Sequence, residues 1–284
     1  MIKIIDVTVR DGLQSHKNIL SVMDRVKIVN LISSLGINNL EVGSIVSDNI
    51  IPQMKDSIKV YRNCMKVNRT LNYSMLASNF VGIKDMMANN VKNISFFTSP
   101  SNTFNRKNIN LSTEDSLNRI RFLRGNICNK AHTRGYISCV TECPYEGIVP
   151  TYKILKCINF FDTINIDDIT LSDTLGTLKY KNLKEILDNL DDRLTKKLSI
   201  HLHQSDNSWK EVINLCLRYG INTFDTSILN LGGCPAAFSE KKKKSGNLNL
   251  YDFVNYLDEI DIKHNIKKDK IREVENEVSK IISL

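Results

Sequence analysis

The sequence predicts a single (β/α)8 barrel, an α/β fold in which eight parallel strands are each followed by a helix. Strand-like and helix-like segments alternate along the chain, eight such pairs fit within roughly 250 residues, and no Pro/Gly-rich linker divides them. An open, doubly wound sheet is the alternative, because it alternates in the same way. We expect one domain, with the barrel at about 2–260 and a C-terminal helical extension at about 261–284.

Short apolar runs predict the strands, and helical periodicity between them predicts the helices. We expect strands at 2–9, 38–43, 71–76, 93–98, 134–140, 164–171, 197–203 and 222–228. We expect the intervening helices at 22–35, 50–63, 79–90, 112–130, 151–161, 181–193 and 207–219, with further helices at 248–260 and 267–283.

Composition is that of an ordinary globular chain, with 284 residues, 42% hydrophobic and 25% charged. No run approaches the ~20 apolar residues of a membrane span, and the chain enters its first strand without the pattern of a signal peptide. Seven cysteines, scattered along the chain, form no compact disulfide framework. We therefore expect an intracellular, cytoplasmic protein with reduced thiols and no membrane partner.

The net charge of +8 arises from 39 Lys and Arg against 31 Asp and Glu. Half of this excess lies in one block, Lys241 to Lys244, so the basic residues do not form the broad stripe of a nucleic-acid-binding surface. Aromatic residues are not interleaved with basic ones either. We expect no nucleic-acid partner.

Two histidines, His201 and His203, end the seventh predicted strand. Side chains alternate along a strand, so these two imidazoles point to the same side. An H-x-H pattern by itself is a weak metal signal, and a structural pair is the alternative interpretation. Its significance depends on which other polar residues lie nearby.

Polar residues recur where the predicted strands end, which is the face of a barrel that carries active sites. They are Arg10 and Asp11 after the first strand, Glu41 after the second, Ser138 and Cys139 at the fifth, Asp173 after the sixth, the two histidines, and Gly232-Gly233-Cys234 after the eighth. Each alone has a structural alternative as a cap, an ion-pair partner or a space-filling side chain. Together they favour an active site at which a carboxylate and two imidazoles bind one metal ion.

The same motifs, in order, resemble the 3-hydroxy-3-methylglutaryl-CoA (HMG-CoA) lyase family from about residue 2 to about 260. The matching segments are Arg10-Asp11-Gly12-Leu13-Gln14, Val46-Ser47 with Pro52-Gln53-Met54, Ser138-Cys139 with Cys143-Pro144-Tyr145-Glu146-Gly147, Ser172-Asp173-Thr174-Leu175-Gly176, His201-x-His203 and Leu231-Gly232-Gly233-Cys234-Pro235. R-D-G-x-Q and H-x-H are shared with the Claisen-type condensing enzymes of the same superfamily. The G-G-C-P and C-P-Y-E-G segments favour the lyase over a homocitrate or isopropylmalate synthase.

The resemblance implies cleavage of the C2–C3 bond of HMG-CoA to acetyl-CoA and acetoacetate, a reaction of ketone-body and leucine catabolism. It implies a divalent cation held by Asp11, His201, His203 and Asn247. This mixed oxygen and nitrogen set suits Mg²⁺ or Mn²⁺. The expected partner is a small-molecule acyl-CoA substrate, and the oligomeric state is left open with a homodimer as one candidate.

Four catalytic roles follow from the same resemblance. Asp173 is the predicted base, or its relay, for the C3 hydroxyl. Arg10 would face the thioester oxygen, where enolate charge develops. Cys234 would donate a proton to the enolate carbon, and Glu41 would orient or contact the site.

Three features depart from the family pattern. Gln204 follows the second histidine where an Asp is usual, Ser172 precedes Asp173 where a Gly is common, and the loop at 236–244 is lengthened by Lys241 to Lys244. The lysines either meet the phosphates of CoA or form a solvated loop tip. Two other functions therefore stay open: a catalytically weak barrel that binds a CoA ester or a partner, and a Claisen-type condensing enzyme.

Overall fold

The computed structural model describes residues 1–127, 130–233 and 245–283. Its strands, in chain order, are β1 (Lys3–Asp6), β2 (Asn39–Ile45), β3 (Asn72–Ala77), β4 (Asn93–Thr98), β5 (His132–Ser138), β6 (Glu142–Cys143), β7 (Gly147–Ile148), β8 (Asp168–Asp173), β9 (Leu198–Gln204), β10 (Thr223–Thr226) and β11 (Gly246–Asn247). Strands β6 and β7 form a small antiparallel hairpin outside the main sheet.

Eight parallel strands of the described chain close into a barrel, which confirms the predicted fold class. The order runs from β1 through β5 to β8, β9 and β10, and β10 pairs with both β9 and β1. An open sheet would leave two unpaired edges, so this closure excludes the doubly wound alternative. Strand β11 is antiparallel to the end of β9 and sets Asn247 opposite His203.

Helices cover the outside of the barrel. They are α1 (Val22–Ser34), α2 (Ser57–Val67), α3 (Phe80–Ala88), α4 (Asn102–Ile109), α5 (Thr113–Gly125), α6 (Thr151–Thr163), α7 (Tyr180–Leu187), α8 (Asp192–Thr195), α9 (Ser208–Arg218), α10 (Leu250–Glu259) and α11 (Ile271–Ile282). Several begin at side-chain caps, such as Ser21, Ser112 and Asn249, whose oxygens accept an amide hydrogen of the first turn.

Some predicted boundaries were wrong for local reasons. The first strand ends at Asp6, because Thr8–Gly12 form a π-helical turn. The helix predicted at 50–63 begins only at Ser57, since Pro52–Met54 form a short 3₁₀ turn and Asp56 has a positive φ of 60°. Helix α4 was not predicted.

The final helix, α11, packs through Ile271, Val274, Val278 and Ile281, which are all buried. The division into a barrel at about 2–260 and an extension at about 261–284 stays a prediction. In the described part of the chain no helix combines the length and apolar character needed to cross a membrane. The described cysteines are buried and free.

Candidate metal centre

A cavity of about 140 Å³ opens at the carboxyl ends of the barrel strands. It is lined by Arg10, Asp11, Gln14, Ser15, Leu76, Phe97, Phe104, Asn108, Tyr136, Ser138, Ser172, Thr174, His201, His203 and Gly233. The cavity lies where the sequence placed the active site, and it gathers residues from strands far apart along the chain.

The π-helical turn after β1 presents Arg10 and Asp11 to this cavity. The amides of Asp11 and Gly12 both donate to the carbonyl oxygen of Val7, across 2.8 and 3.0 Å. The carboxylate of Asp6 accepts from the amide and the hydroxyl of Thr8 and so fixes the start of the turn. Such a turn is a frequent feature of functional sites because it redirects side chains at little loss of hydrogen bonding.

The two histidines of β9 turn their Nε2 atoms toward each other, 3.3 Å apart. Nδ1 of His203 lies 2.8 Å from the carbonyl oxygen of Thr174. Because that oxygen can only accept, Nδ1 of His203 carries the hydrogen and Nε2 has a free lone pair. Nδ1 of His201 lies 3.0 Å from Oδ2 of Asp225.

Asp11, His201 and His203 form a group of three side chains that could hold a metal ion. One ligand atom from each lies within 4.8 Å of the others. Burial raises the pKa of Asp11, but the guanidinium of Arg10 and the two imidazoles outweigh this and lower it to about 2. Burial and the neighbouring His201 lower the pKa of His203 to about 4. At neutral pH the group therefore offers a carboxylate and a neutral imidazole, the forms that bind metal ions.

Asn247, which the family resemblance implies as a fourth ligand, is buried beside Asp11. Its Nδ2 donates to Oδ2 of Asp11 across 2.9 Å and to the carbonyl oxygen of Leu231 across 2.8 Å. Its Oδ1 is buried and has no hydrogen-bond partner among the described residues, so an oxygen ligand is available. Gly232, with φ 112°, permits the close approach, since a Cβ there would lie 2.3 Å from Nδ2 of Asn247. These donors fit a hard divalent cation.

Arg10 is held rigidly at the edge of the cavity. Its Nε donates to Oε2 of Glu41 across 2.5 Å, and its Nη1 donates to Oδ1 of Asp11 across 2.5 Å. The guanidinium also lies over the ring of Tyr136, 5.1 Å from the centroid. Burial lowers the pKa of Arg10, but Glu41 and Asp11 outweigh it and hold the pKa well above its usual value. A fixed, permanently charged group therefore faces the cavity.

Asp173, like Glu41 and Asn247, is not among the described residues that line the cavity. Its two carboxylate oxygens accept from the amides of Thr177 and Leu178, across 2.9 and 3.0 Å. Burial raises its pKa to about 6. Its neighbour Ser172 points into the cavity, as strand alternation requires.

The side chain of Gln204 forms its hydrogen bonds with Asp252 and Asn249 at the start of α10. Its Nε2 donates to Asp252 and its Oε1 accepts from the amide of Asn249, so it ties the end of β9 to α10. The replacement of the family's usual Asp by Gln204 therefore leaves both histidines oriented, because His203 contacts Thr174 and His201 contacts Asp225. The predicted residues Cys234 and Lys241 to Lys244 lie outside the described residues.

Three contributors to the site were missed by the sequence analysis: Tyr136, Thr174 and Asp225. The sequence did contain a signal for Asp225, because Asp225 and Arg134 are both charged residues within apolar strands. A buried charge requires a partner, and Arg134 lies 2.8 Å from Asp225. The carbonyl of Thr174 could not have been found, because a main-chain contact leaves no mark on residue type.

A closed (β/α)8 barrel with a carboxylate and two imidazoles at the carboxyl ends of its strands defines a barrel enzyme with a site suited to a divalent metal ion. The sequence model of the HMGL-like family matches residues 1–278. The chain belongs to this family.

Curated relatives and a solved structure agree with this membership. The chain is 31% identical over 277 residues to the mitochondrial hydroxymethylglutaryl-CoA lyase of Homo sapiens, covering 97% of this chain and 84% of that protein. It is 30% identical over 263 residues to the 3-hydroxy-3-isohexenylglutaryl-CoA/hydroxymethylglutaryl-CoA lyase of Pseudomonas aeruginosa, covering 92% and 86%. The HMG-CoA lyase structure from Bacillus subtilis superposes with a TM-score of 0.90 at 28% identity, covering 99% and 94%.

Proposed function

We propose that the protein is a divalent-metal-dependent carbon–carbon lyase that cleaves HMG-CoA, or a related 3-hydroxy-3-carboxyalkyl-CoA, to acetyl-CoA and a keto acid, which is acetoacetate for HMG-CoA. The C2–C3 bond breaks, the C3 hydroxyl loses its proton and becomes a ketone, and the electron pair of the broken bond becomes an enolate at C2. A proton then converts this enolate to acetyl-CoA. With HMG-CoA as substrate, this is a reaction of ketone-body and leucine catabolism.

The observation that carries this proposal is the pairing of two unlike features in one cavity. A metal-binding group of Asp11, His201 and His203 lies beside Arg10, whose charge is fixed by Glu41. Cleavage of a β-hydroxy thioester needs stabilisation of charge at two oxygens, that of C3 and that of the thioester. A cation held by Asp11, His201 and His203 would supply the positive charge for the C3 oxygen, and Arg10 supplies it for the thioester oxygen.

We assign the cation as Mg²⁺ or Mn²⁺, with Asp11, His201, His203 and Asn247 as its ligands. Among the described residues, Oδ1 of Asn247 is buried without a hydrogen-bond partner and no thiol belongs to the ligand group, which supports an oxygen-preferring ion over a closed structural zinc site. When bound, such an ion lowers the pKa of an attached hydroxyl and polarises a carbonyl.

The roles of the protein's own residues follow from placement and from the family pattern. Arg10 stabilises the thioester oxygen as negative charge develops there, and Glu41 holds the guanidinium in place. Cys234 is the proposed proton donor to C2. Asp173 is the proposed base or relay for the C3 hydroxyl. Its contacts with the amides of Thr177 and Leu178 favour a second role, in which it positions the loop that carries Thr174.

Two other functions are outcomes of the test. A Claisen-type condensing enzyme would share the metal group but not the G-G-C-P segment, and a binding protein would not need the fixed Arg10. An acyl-CoA partner is supported by the names of the relatives. A homodimer and a cytoplasmic location stay predictions.

The test is to incubate the protein with HMG-CoA and Mg²⁺ or Mn²⁺ and to measure acetoacetate. Formation of acetoacetate and acetyl-CoA in equal amounts supports the lyase. If the protein instead consumes acetyl-CoA when acetyl-CoA and a keto acid are supplied, it is a condensing enzyme. Tight binding of the CoA ester without turnover would identify a binding protein.

A further inference from the structure

His201 is oriented differently from its neighbour His203. Its Nδ1 faces Oδ2 of Asp225 at 3.0 Å, and both side chains are buried. An ionised carboxylate only accepts hydrogen bonds, so Nδ1 of His201 carries the hydrogen and Nε2 keeps the lone pair that a metal ion needs. His203 obtains the same arrangement from a main-chain carbonyl, which no substitution can remove directly.

Two side chains of strand β5 contact Asp225. The guanidinium of Arg134 lies 2.8 Å from Oδ1 of Asp225, and the hydroxyl of Tyr136 lies 3.2 Å from Oδ2. Arg134 and Tyr136 are two residues apart and so share the inner side of the barrel. Arg134 is further placed by the hydroxyl of Ser199, which lies 2.9 Å from Nη2.

The same contacts continue to the opposite side of the cavity. The hydroxyl of Tyr136 lies 3.2 Å from Oε2 of Glu41 as well, and that oxygen accepts from Nε of Arg10. A continuous series of buried polar contacts therefore joins His201 to Arg10. Both ends of the series are groups to which the proposed reaction assigns a charge-stabilising role.

We propose that Asp225 is a positioning residue of the metal site, which sets the tautomer and ring orientation of His201, and that Arg134 holds Asp225 for this purpose. This inference rests on the proposed metal site. The competing interpretation is that Asp225 only neutralises Arg134 inside the barrel, in which case its loss would affect stability and not metal binding.

A matched pair of variants separates these interpretations. Asp225 and Asp168 both lie near Arg134, at 2.8 and 3.6 Å, but only Asp225 contacts His201. Asp225→Ala and Asp168→Ala each remove one carboxylate partner of Arg134, and only Asp225→Ala removes the acceptor that faces Nδ1 of His201. The dissociation constant for Mn²⁺ is measured by isothermal titration calorimetry on protein that circular dichroism shows to be folded. We expect Asp225→Ala to weaken Mn²⁺ binding about 10- to 100-fold and Asp168→Ala to leave it unchanged. Equal affinities in both variants and the wild type, or equal losses in both variants, would overturn the proposal.

Loss of Asp225 leaves a buried arginine without its nearest carboxylate, which destabilises the fold. The double variant Arg134→Met/Asp225→Ala removes both charges and is expected to show the same weakening of Mn²⁺ binding. If the double variant binds Mn²⁺ like the wild type, the proposal is wrong.

A second readout needs no metal. In the metal-free wild type, ¹⁵N chemical shifts of the imidazoles should show His201 protonated at Nδ1, with the signal assigned by its loss in His201→Asn. Asp225→Ala should shift His201 toward protonation at Nε2. A wild-type His201 protonated at Nε2 would refute the link to Asp225. If the wild type binds no Mn²⁺, the metal proposal itself fails, whereas this tautomer measurement still decides the role of Asp225.

Discussion

Arg10 and Glu41 are joined by a hydrogen bond of 2.5 Å between Nε and Oε2, across a sequence separation of 31 residues. The same guanidinium donates through Nη1 to Asp11. Arg10 is the one Lys or Arg among the described residues that line the cavity, and this contact fixes its guanidinium relative to Asp11, His201 and His203.

Arg10→Lys should lower kcat by about 10²-fold or more, because an ammonium cannot contact Glu41 and Asp11 in the fixed geometry of a guanidinium. Glu41→Gln keeps Arg10 and should cause a smaller loss of kcat. Steady-state kinetics with HMG-CoA measure both. A Glu41→Gln variant more impaired than Arg10→Lys would show that Glu41 has a role of its own.

Metal removal should abolish activity. We expect EDTA to eliminate acetoacetate formation, Mg²⁺ or Mn²⁺ to restore it, and His203→Ala to weaken metal binding measured by calorimetry. Gln204→Ala is the matched control, because Gln204 is adjacent in sequence but faces α10. Full activity in EDTA, with no bound metal found by elemental analysis, would remove the central claim.

Asp173→Asn should distinguish a base from a residue that anchors a loop. If the carboxylate mainly holds the amides of Thr177 and Leu178, the variant should lose about 1–3 kcal/mol of stability with kcat little changed. Loss of kcat at unchanged stability, with loss of a pH dependence, would instead establish a base.

The pH dependence of stability gives an independent check on Asp173. Its folded pKa is raised to about 6 from 3.8, so between these values the folded state binds more protons than the unfolded state. The contribution of this carboxyl to stability is therefore full below about pH 4 and is lost as the pH rises through 6. Thermal melts of the metal-free protein should show the wild type losing stability relative to Asp173→Asn over this range, and a constant difference would contradict the raised pKa.

Cys234→Ser should lower turnover by about 10²-fold or more, with little change in binding of the CoA ester. Serine has nearly the same size as cysteine but is a far weaker acid, so proton delivery to C2 should suffer. Cys216→Ser, at a described cysteine buried in α9, serves as the comparison. Wild-type turnover in Cys234→Ser would show that this thiol has no part in the chemistry.

A variant in which all four residues from Lys241 to Lys244 are changed to Ser should have a higher KM for the CoA ester and nearly the same kcat. This is the pattern expected when binding that is common to the ground and transition states is lost. The increase should shrink at high ionic strength, since the Debye length falls to ~3 Å at 1 M salt. Kinetics at low and high salt measure this. An unchanged KM at low salt would mean that the lysines form only a solvated loop tip.

Sequence patterns alone were enough to predict the barrel, which the structure confirms, and to predict that Asp11, His201 and His203 lie together at the carboxyl ends of its strands. Period-two and helical patterns reflect which side of each element is buried, so they are visible in one dimension. Because all parallel strands of a barrel end at one rim, Asp11, His201 and His203 could be placed together without knowing their distances.

The contacts that hold these side chains in position are visible only in the three-dimensional structure. The π-helical turn at Thr8–Gly12, the contact of His203 with the carbonyl of Thr174, and the contact of His201 with Asp225 depend on backbone geometry and on pairings between distant strands. Asp173 shows the same limit, because its sequence motif indicated a base while its carboxylate faces two amides. Residue type records which chemistry is available, whereas direction and distance are set by packing across the whole barrel.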